Sequence, residues 1–531
     1  MSFSDISRIS PSIHIKLREL SAPLLLLFGS LALYIAARSL LLTAAKGAPL
    51  DCLWLDIVSA AGAMFLAKIR YAEIPAALRL LTRGIGAVVL IQVAFDASTL
   101  FYAPASMLEG APGGFYRYGA AIALAAGAAA MVRPAFLLPL FVHYVLFRHQ
   151  LNLLTNVDIS ETDYLSMLDV GEFCALGSLV AALAGRELGE TAKRAGAGLI
   201  WAWAVGAHLG NYFVSAWTKI RTGGGDPFFW LLHNPTQTSI LIGLERGDNP
   251  LGAWPWLVQG EWSGISGAVV ALNSFVLGTQ LAAPFAATHR RTLMALTLLY
   301  DLFHVGVYFT LGALFIFWIA VNLLVFESVR HIKQDGGFTP SMKLTLLVSV
   351  FISHYLFYTS HLGWLDGAKL ASPSVQAETA DGRRIAVPSV FFGIRSYSIA
   401  QTVMYAPDGH FPVRIGGNSY NPTDWRDSQS CGPVTAAHQD TGTSLAAVET
   451  MIRESDAAMR RAPAVKDDNL YYLYPHHMLA NPLMFKDFNG LSMNDIVAYH
   501  YIVESVCLGL ENGRLTRDVH KTTDYPVDVR R

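Results

Sequence analysis

Eleven ionisable side chains fall inside or at the edges of apolar runs in this sequence: Asp56, Asp96, His143, Asp169, Glu172, His208, Lys219, Asp301, His304, His354 and His361. In a bilayer each must be paired, neutral or turned toward a cavity, so together they form the default site hypothesis. Taken singly, a histidine in such a run is an interhelical hydrogen-bonding residue, and Asp56 or Asp169 near a run's end is a helix cap. Lys219 stands apart. It closes the apolar run Gly196 to Lys219, directly before Gly223, Gly224, Gly225 and Asp226. An ammonium there either snorkels to lipid headgroups or is held inside for chemistry.

Spacing adds partial geometry. Asp301 and His304 share a helix face at i, i+3, so that the carboxylate could orient the imidazole. His354 and His361 stand two helical turns apart on one face, and His208 stands about three turns before Lys219. A metal centre would need clustered histidine pairs, whereas the only adjacent pair, His476 and His477, lies in the polar tail; no metal is expected. The glycine triplet follows no strand and lacks a Walker lysine-threonine, so it is not read as a phosphate loop.

The elements that must position these groups follow from composition. The 531 residues are 53% hydrophobic and 15% charged, with a mean hydropathy of +0.38, far too apolar for a soluble chain of this size. The fold class expected is a polytopic α-helical membrane protein of about 10–11 transmembrane helices with a small C-terminal α+β soluble domain. Residues 1–22 form a cytoplasmic N-terminal segment leading into an uncleaved first span, 23–365 the helical domain, and 366–531 the soluble domain. Further spans are expected near 51–68, 84–103, 116–132, 134–147, 168–185, 196–217, 263–285, 293–326 and 343–362. The 293–326 stretch is too long for one straight crossing and has Gly312 mid-way, so it is either two helices or one broken helix.

Basic residues cluster in alternate loops: Lys68, Arg70, Arg79 and Arg83; Arg186, Lys193 and Arg194; His289, Arg290 and Arg291; Arg330, Lys333 and Lys343. By the positive-inside rule these loops are cytoplasmic, and the tail is extracytoplasmic if 293–326 crosses twice. In an oxidising compartment Cys431 and Cys507 could pair. The tail reads as strand-like over ADGRRIAVPSVFFGI and as two amphipathic helices, LAAVETMIRESDAAMRRA and SMNDIVAYHYIVESVCLGLENG, with turns at Asp408-Gly409 and Gly416-Gly417-Asn418. With 39 basic against 40 acidic residues, no nucleic-acid partner is expected.

The segment NYFVSAWTKI, Asn211 to Ile220, resembles the YFIAGVKKL-type motif of the horizontally transferred transmembrane domain family, which contains the vitamin K-dependent gamma-glutamyl carboxylases and their bacterial relatives. A second segment, FHVGVYFTLGALFIFWIAVNLLVF from Phe303 to Phe326, resembles that family's Phe-His-led helix, and order and separation agree. The resemblance spans residues 15–365, with its sharp part confined to these two segments. It implies a membrane-embedded carboxylase/epoxidase-like enzyme of a bacterial inner membrane, in which a reduced, vitamin K-like quinone, oxygen and carbon dioxide serve to modify a peptide or small molecule. Membrane lipid is the remaining partner. Lys219 falls on the lysine that deprotonates the quinol, and desolvation at the membrane boundary would keep such an amine neutral. His304 falls on the histidine of the same cavity, with Asp301 beside it; His208, Tyr212, Trp217 and Tyr308 are the expected quinone contacts.

Thr218 replaces the first lysine of the family's pair, Ser215-Ala216 replaces an alanine-glycine step, and the tail is shorter than the carboxylase lumenal domain, where substrate and propeptide recognition reside. The aromatic loop holding Phe228, Phe229, Trp230, Trp254, Trp256 and Trp262 either closes over the cavity or forms an interfacial belt. His233 and Asn234 are its polar contacts, and Trp425, Cys431 and His438 are those of the tail. The alternative reading is a non-catalytic membrane scaffold binding a lipid, peptide or protein. A transporter would show an internal repeat, and none is visible.

Overall fold

Long apolar runs offer the backbone few side-chain partners, so its hydrogen bonds close within each run and helices follow. The computed structural model describes residues 11–99, 108–155, 162–401, 404–413, 425–426, 429, 431, 442–461 and 478–529. His438, the His476-His477 pair and the Gly416-Gly417-Asn418 turn lie outside them. The bundle comprises α1 (Pro11–Ala44), α2 (Pro49–Leu66), α3 (Ala76–Thr99), α4 (Ala120–Ala130, entered through a π-helical turn at Phe115–Gly119), α5 (Leu137–Thr155), α6 (Thr162–Leu188) and α7 (Glu190–Thr222). Two short helices follow, α8 (Phe229–His233) and α9 (Thr238–Arg246), and then α10 (Pro255–Leu281), α11 (Arg290–Leu311), α12 (Ile316–His331) and α13 (Pro340–Ile352).

Among the described residues six helices are long and apolar enough to cross a membrane: α1, α2, α3, α6, α10 and α11. This is fewer than the 10–11 expected. Five of the expected spans fall short: α4, α12 and α13 have only 11, 16 and 13 residues, while α5 and α7 are long enough but carry polar side chains such as Arg148 and Gln150 or His208 and Asn211 within the run.

Residues 293–326 form two helices. Gly312 takes φ +76°, and a Cβ there would lie 2.6 Å from the Asp248 carbonyl carbon and Cβ, so only glycine fits the turn. Asp301 and Asn322, almost equidistant from that turn, are hydrogen-bonded at 2.8 Å, which makes α11 and α12 an antiparallel hairpin. The free carbonyls at the end of α11 are taken up by the neighbouring segment. Arg246 donates to Leu311 O (3.0 Å), and Asn249 donates to Phe309 O and Thr310 O (3.0 and 3.1 Å).

The basic loops come together at one end. The Asp335 carboxylate, in the turn between α12 and α13, accepts from Ala76 N and Ala77 N at 2.9 and 2.7 Å. That cap starts α3 earlier than residue 84, and a cap so distant in sequence leaves no local signal. Arg186, at the end of α6, pairs with Glu73 at 3.0 Å. The polar tail lies at the other end, where α7 finishes.

The span expected at 343–362 ends as a helix at Ile352 and, after a 3-10 turn, becomes extended, so His354 and His361 do not share a helix face. The cause lies on α6 and α7. Asp169 accepts from Tyr358 N (2.6 Å), Asn211 accepts from Ser360 N (3.0 Å), Ser215 bonds Ser360 O and Leu362 N (3.1 and 3.3 Å), and Thr222 donates to Gly363 O (2.8 Å). Side chains about one turn apart thus replace the helical ladder, and Lys219 completes the series through Leu362 O.

The tail is a four-stranded antiparallel sheet of order β2-β1-β3-β4, with β1 Lys369–Thr379, β2 Arg384–Ala386, β3 Ile496–Glu511 and β4 Arg514–Asp528. Helix α14 (Leu445–Arg461) packs Val448, Met451, Ile452 and Met459 into the core formed with β1 and β3. The first expected amphipathic helix is therefore α14, whereas the second is strand β3. IVAYHYIV is rich in β-branched and aromatic residues, and Asn512-Gly513, with φ of 51° and 72°, closes a two-residue hairpin instead of ending a helix. Within ADGRRIAVPSVFFGI only Arg384–Ala386 is strand, and Ser389–Arg395 forms 3-10 turns. A disulfide joins Cys431 to Cys507.

Candidate functional site

Lys219 is 5% exposed, and its Nζ donates to Leu362 O and lies 5.2 Å from the Trp230 ring centroid. It therefore does not snorkel. It lines a cavity of about 80 Å³. The walls come from the end of α7, from Trp230, Asn234, Thr236 and Ser239 around α8 and α9, from Val276 and Gln280 of α10, from Phe303, Val307, Thr310 and Leu311 of α11, from Phe315, and from Leu362, Trp364 and Asp366. Most of this surface is aromatic or aliphatic; the polar groups gather beside the amine.

Asp366 is the cavity residue that sequence reasoning missed, because it lies past the last apolar run in what reads as a linker. It is 4% exposed. Asn234 grips it at two points: Asn234 Nδ2 donates to Asp366 Oδ2 at 2.8 Å, and Asp366 N donates to Asn234 Oδ1 at 2.7 Å. Asn234 is fixed in turn by Asn273, whose Nδ2 donates to its carbonyl at 2.9 Å. Burial pushes the Asp366 carboxyl up to about 7, opposed by the Asn234 bond and by the Lys219 charge. Lys219 makes no ion pair among the described residues, and Asp366 acts on it through space.

The other expected residues form a second, fully packed assembly. Tyr212 hydroxyl and His304 Nε2 are 3.0 Å apart; Asn322 Nδ2 donates to the Tyr212 hydroxyl (2.9 Å) and to Asp301 Oδ1 (2.8 Å), and Asn322 Oδ1 meets His208 Nε2 at 2.8 Å. His208, Tyr212, Asp301 and His304 are thus brought together, with Asn322 as the hub and Asp301 bonded to Asn322. His304 has no exposure and does not line the Lys219 cavity. It lies one aromatic layer behind: its ring centroid is 5.1 Å from Phe303 and 5.2 Å from Phe315, both wall residues.

Two expected contacts lie elsewhere. Trp217 is 50% exposed on the outer face of α7. Tyr308 lines a separate groove of about 450 Å³ with Asp248, Trp254 and residues 479–483 of the tail. Of the aromatic loop, Trp230 lines the cavity and Phe229 is buried, whereas Phe228, Trp254 and Trp256 are exposed. His233 is exposed, its ring tilted against Phe229 at 4.9 Å. Trp425 of the tail reaches the cavity rim, its Nε1 donating to Asp366 O at 2.8 Å and its ring set edge-on to Phe229 at 5.5 Å. Elsewhere in the bundle, His143 pairs with Asp56 at 2.9 Å, and Arg38 pairs with Asp169 at 2.8 Å and Glu172 at 3.5 Å. Among the described residues no three His, Cys, Asp or Glu side chains gather as a metal-binding set.

No protein-family model matches the chain, and neither does any of the curated proteins or solved structures compared with it.

Proposed function

We propose that this chain is a membrane-embedded, quinol-dependent enzyme of carboxylase/epoxidase type in which Lys219 is the general base. The observation that carries the reading is a lysine amine 5% exposed, without an ion-pair partner among the described residues, on the wall of an aromatic cavity. Such an amine differs from a snorkelling one in having something to act upon.

The residues present suit a reduced quinone. Trp230, Phe303, Phe315 and Trp364 offer flat surfaces for a planar ring, Val276, Val307 and Leu311 suit an apolar tail, and Lys219, Asn234 and Asp366 can meet ring oxygens at one end. A reduced quinone bound there supplies, with oxygen, the electrons and the strong base needed to deprotonate an unactivated acceptor, which carbon dioxide would then trap. Lys219 takes the hydroxyl proton, and Trp230 keeps water from the amine. Its bond to Leu362 O fixes where the nitrogen points. The acceptor is a peptide or small molecule.

The membrane and its sidedness belong to the same proposal. The basic loops at one end of the bundle face the cytoplasm of a bacterial inner membrane, and the tail with its Cys431–Cys507 disulfide faces the oxidising side. In this arrangement α11 and α12 run in opposite directions, and α13 with the extended residues after it, held by α6 and α7, carries the chain from the basic end to the tail outside.

The test uses the full chain in lipid nanodiscs with a reduced naphthoquinone. Oxygen uptake and quinone epoxide, detected by mass spectrometry, are expected from the wild type and lost in Lys219→Met at unchanged thermal midpoint. Equal uptake by both proteins would refute the base. A wild type with neither uptake nor quinone-dependent Trp fluorescence would favour the scaffold reading.

A further inference from the structure

Asp366 and Lys219 are two buried acid–base groups on one cavity wall system, reached from parts of the chain nearly 150 residues apart. Asp366 Oδ2 is committed to Asn234, while Oδ1 has no hydrogen bond among the described residues. Its main chain is committed as well, N to Asn234 and O to Trp425. A residue whose main chain is fixed at both N and O, with one carboxylate oxygen bonded and the other left over, is positioned, not merely tolerated. Nor does it neutralise Lys219 as an ion pair: the lysine's own hydrogen bond goes to Leu362 O.

A buried base raises a question that its own chemistry does not answer. Once the amine has taken a proton it is a buried cation, and it cannot act again until that proton leaves. The other titratable side chain on the same lining is Asp366. We propose that Asp366 is the proton partner of Lys219: it receives the proton that the amine removes from a bound hydroxyl ligand and so returns the amine to its neutral form. The inference rests on the proposed role of Lys219 and extends it. In the first step the ligand O–H bond breaks and an N–H bond forms. In the second an N–H bond breaks and the Asp366 O–H bond forms, each electron pair staying on the atom that releases the proton. No oxidant or reductant takes part. Because the two groups share no direct bond, the ligand oxygen or a cavity water bridges them. A ligand served by this pair carries an ionisable hydroxyl, as a quinol does, and a quaternary ammonium or a plain alkane would gain nothing from it.

The test measures each group in the absence of the other, on the full chain in nanodiscs and without turnover. Acetic anhydride modifies neutral amines, and peptide mass spectrometry reads Lys219 acetylation between pH 6 and 10. Dicyclohexylcarbodiimide modifies protonated carboxyls in apolar sites and reads Asp366. In Asp366→Asn the acetylation midpoint of Lys219 should fall by about one pH unit, as expected for the loss of one nearby charge in a site of intermediate polarity. In Lys219→Met the carbodiimide midpoint of Asp366 should rise by a similar amount, which keeps the question answerable should Asp366→Asn not fold. With a reduced naphthoquinone, Asp366→Asn should lower kcat at least about ten-fold with a smaller change in KM, because the amide can still meet a ring oxygen. Profiles at each site indifferent to removal of the other would overturn the pairing while leaving Lys219 as base. A wild-type Lys219 that resists acetylation up to pH 10, beside an Asp366 that responds to Lys219→Met, would make the two fixed counter-charges and overturn both the base and the proton transfer.

Discussion

Gly312 gives the most direct test of the hairpin on which the topology depends. Its φ of +76° costs an L-residue about 1–2 kcal/mol. An alanine Cβ would also stand 2.6 Å from the Asp248 carbonyl carbon, and that neighbour cannot retreat cheaply. Asp248 is buried and paired with Arg246 at 3.0 Å, Arg246 holds Leu311 O, and Asn481 of the tail bonds Asn249 O at 3.0 Å. Forcing this backbone aside costs about 1–3 kcal/mol more, as for an overpacked core. Gly312→Ala should therefore destabilise by roughly 2–5 kcal/mol. Gly306, one and a half turns earlier on α11, is the control: a Cβ there meets nothing within 4 Å, so alanine should be neutral or stabilising by up to about 1 kcal/mol. Cys52 and Cys174 are free and buried in the bundle, so a thiol-reactive fluorogenic dye reports unfolding on heating in detergent. Equal midpoints for the two variants would refute the tight turn, and with it the antiparallel pairing of α11 and α12.

Two further outcomes follow from buried charge. Arg38→Met leaves Asp169 and Glu172 without their cation inside the bundle and should cost about 3–5 kcal/mol, measured by dodecyl sulfate titration in mixed micelles; a loss below about 1 kcal/mol would mean that the pair is solvated. Asp366, whose folded carboxyl is raised to about 7, favours folding in its protonated form; that contribution is whole below about pH 4 and is lost as pH rises toward 7. Asp366→Asn should flatten the fall in thermal midpoint across this window, and an unchanged slope would show that another group sets it.

Local pattern made the helices, the basic ends and α14 legible, because each rests on residues adjacent in sequence. Lys219, His208, Asp301 and His304 stand out as ionisable residues in apolar runs, but the runs do not tell that Lys219 opens to one cavity while the other three pack in a separate assembly. What the sequence hides are the long-range substitutions for local bonds. Asp335 starts α3 from 259 residues away in sequence, and Asn211, Ser215 and Thr222 unwind residues 358–363 by offering hydrogen bonds that a helix would otherwise provide internally. Asp366 was hidden for the same reason: its burial is created by Asn234 and Trp425, neither of which is near it in sequence. The Asn512-Gly513 pair is a different case, a hairpin signal present in the sequence but outweighed by the amphipathic pattern preceding it.

The separation of the two polar assemblies bears on what His304 can do. A histidine with no exposure, bonded to Tyr212 and ringed by Phe303, Phe315 and Trp318, cannot touch a ligand in the Lys219 cavity without displacing its wall. Its network nevertheless ties α7, α11 and α12 at one level through Tyr212, Asp301 and Asn322. Phe303 and Phe315, which line the cavity, are carried by the same two helices and the turn between them. His304 thus acts on the cavity by fixing the aromatic surface against which a ring would stack, whereas proton transfer falls to groups that reach the space itself. The division follows from physical chemistry: a dense aromatic packing can hold a flat ligand in place, but only an amine and a carboxyl open to the cavity can exchange protons with it.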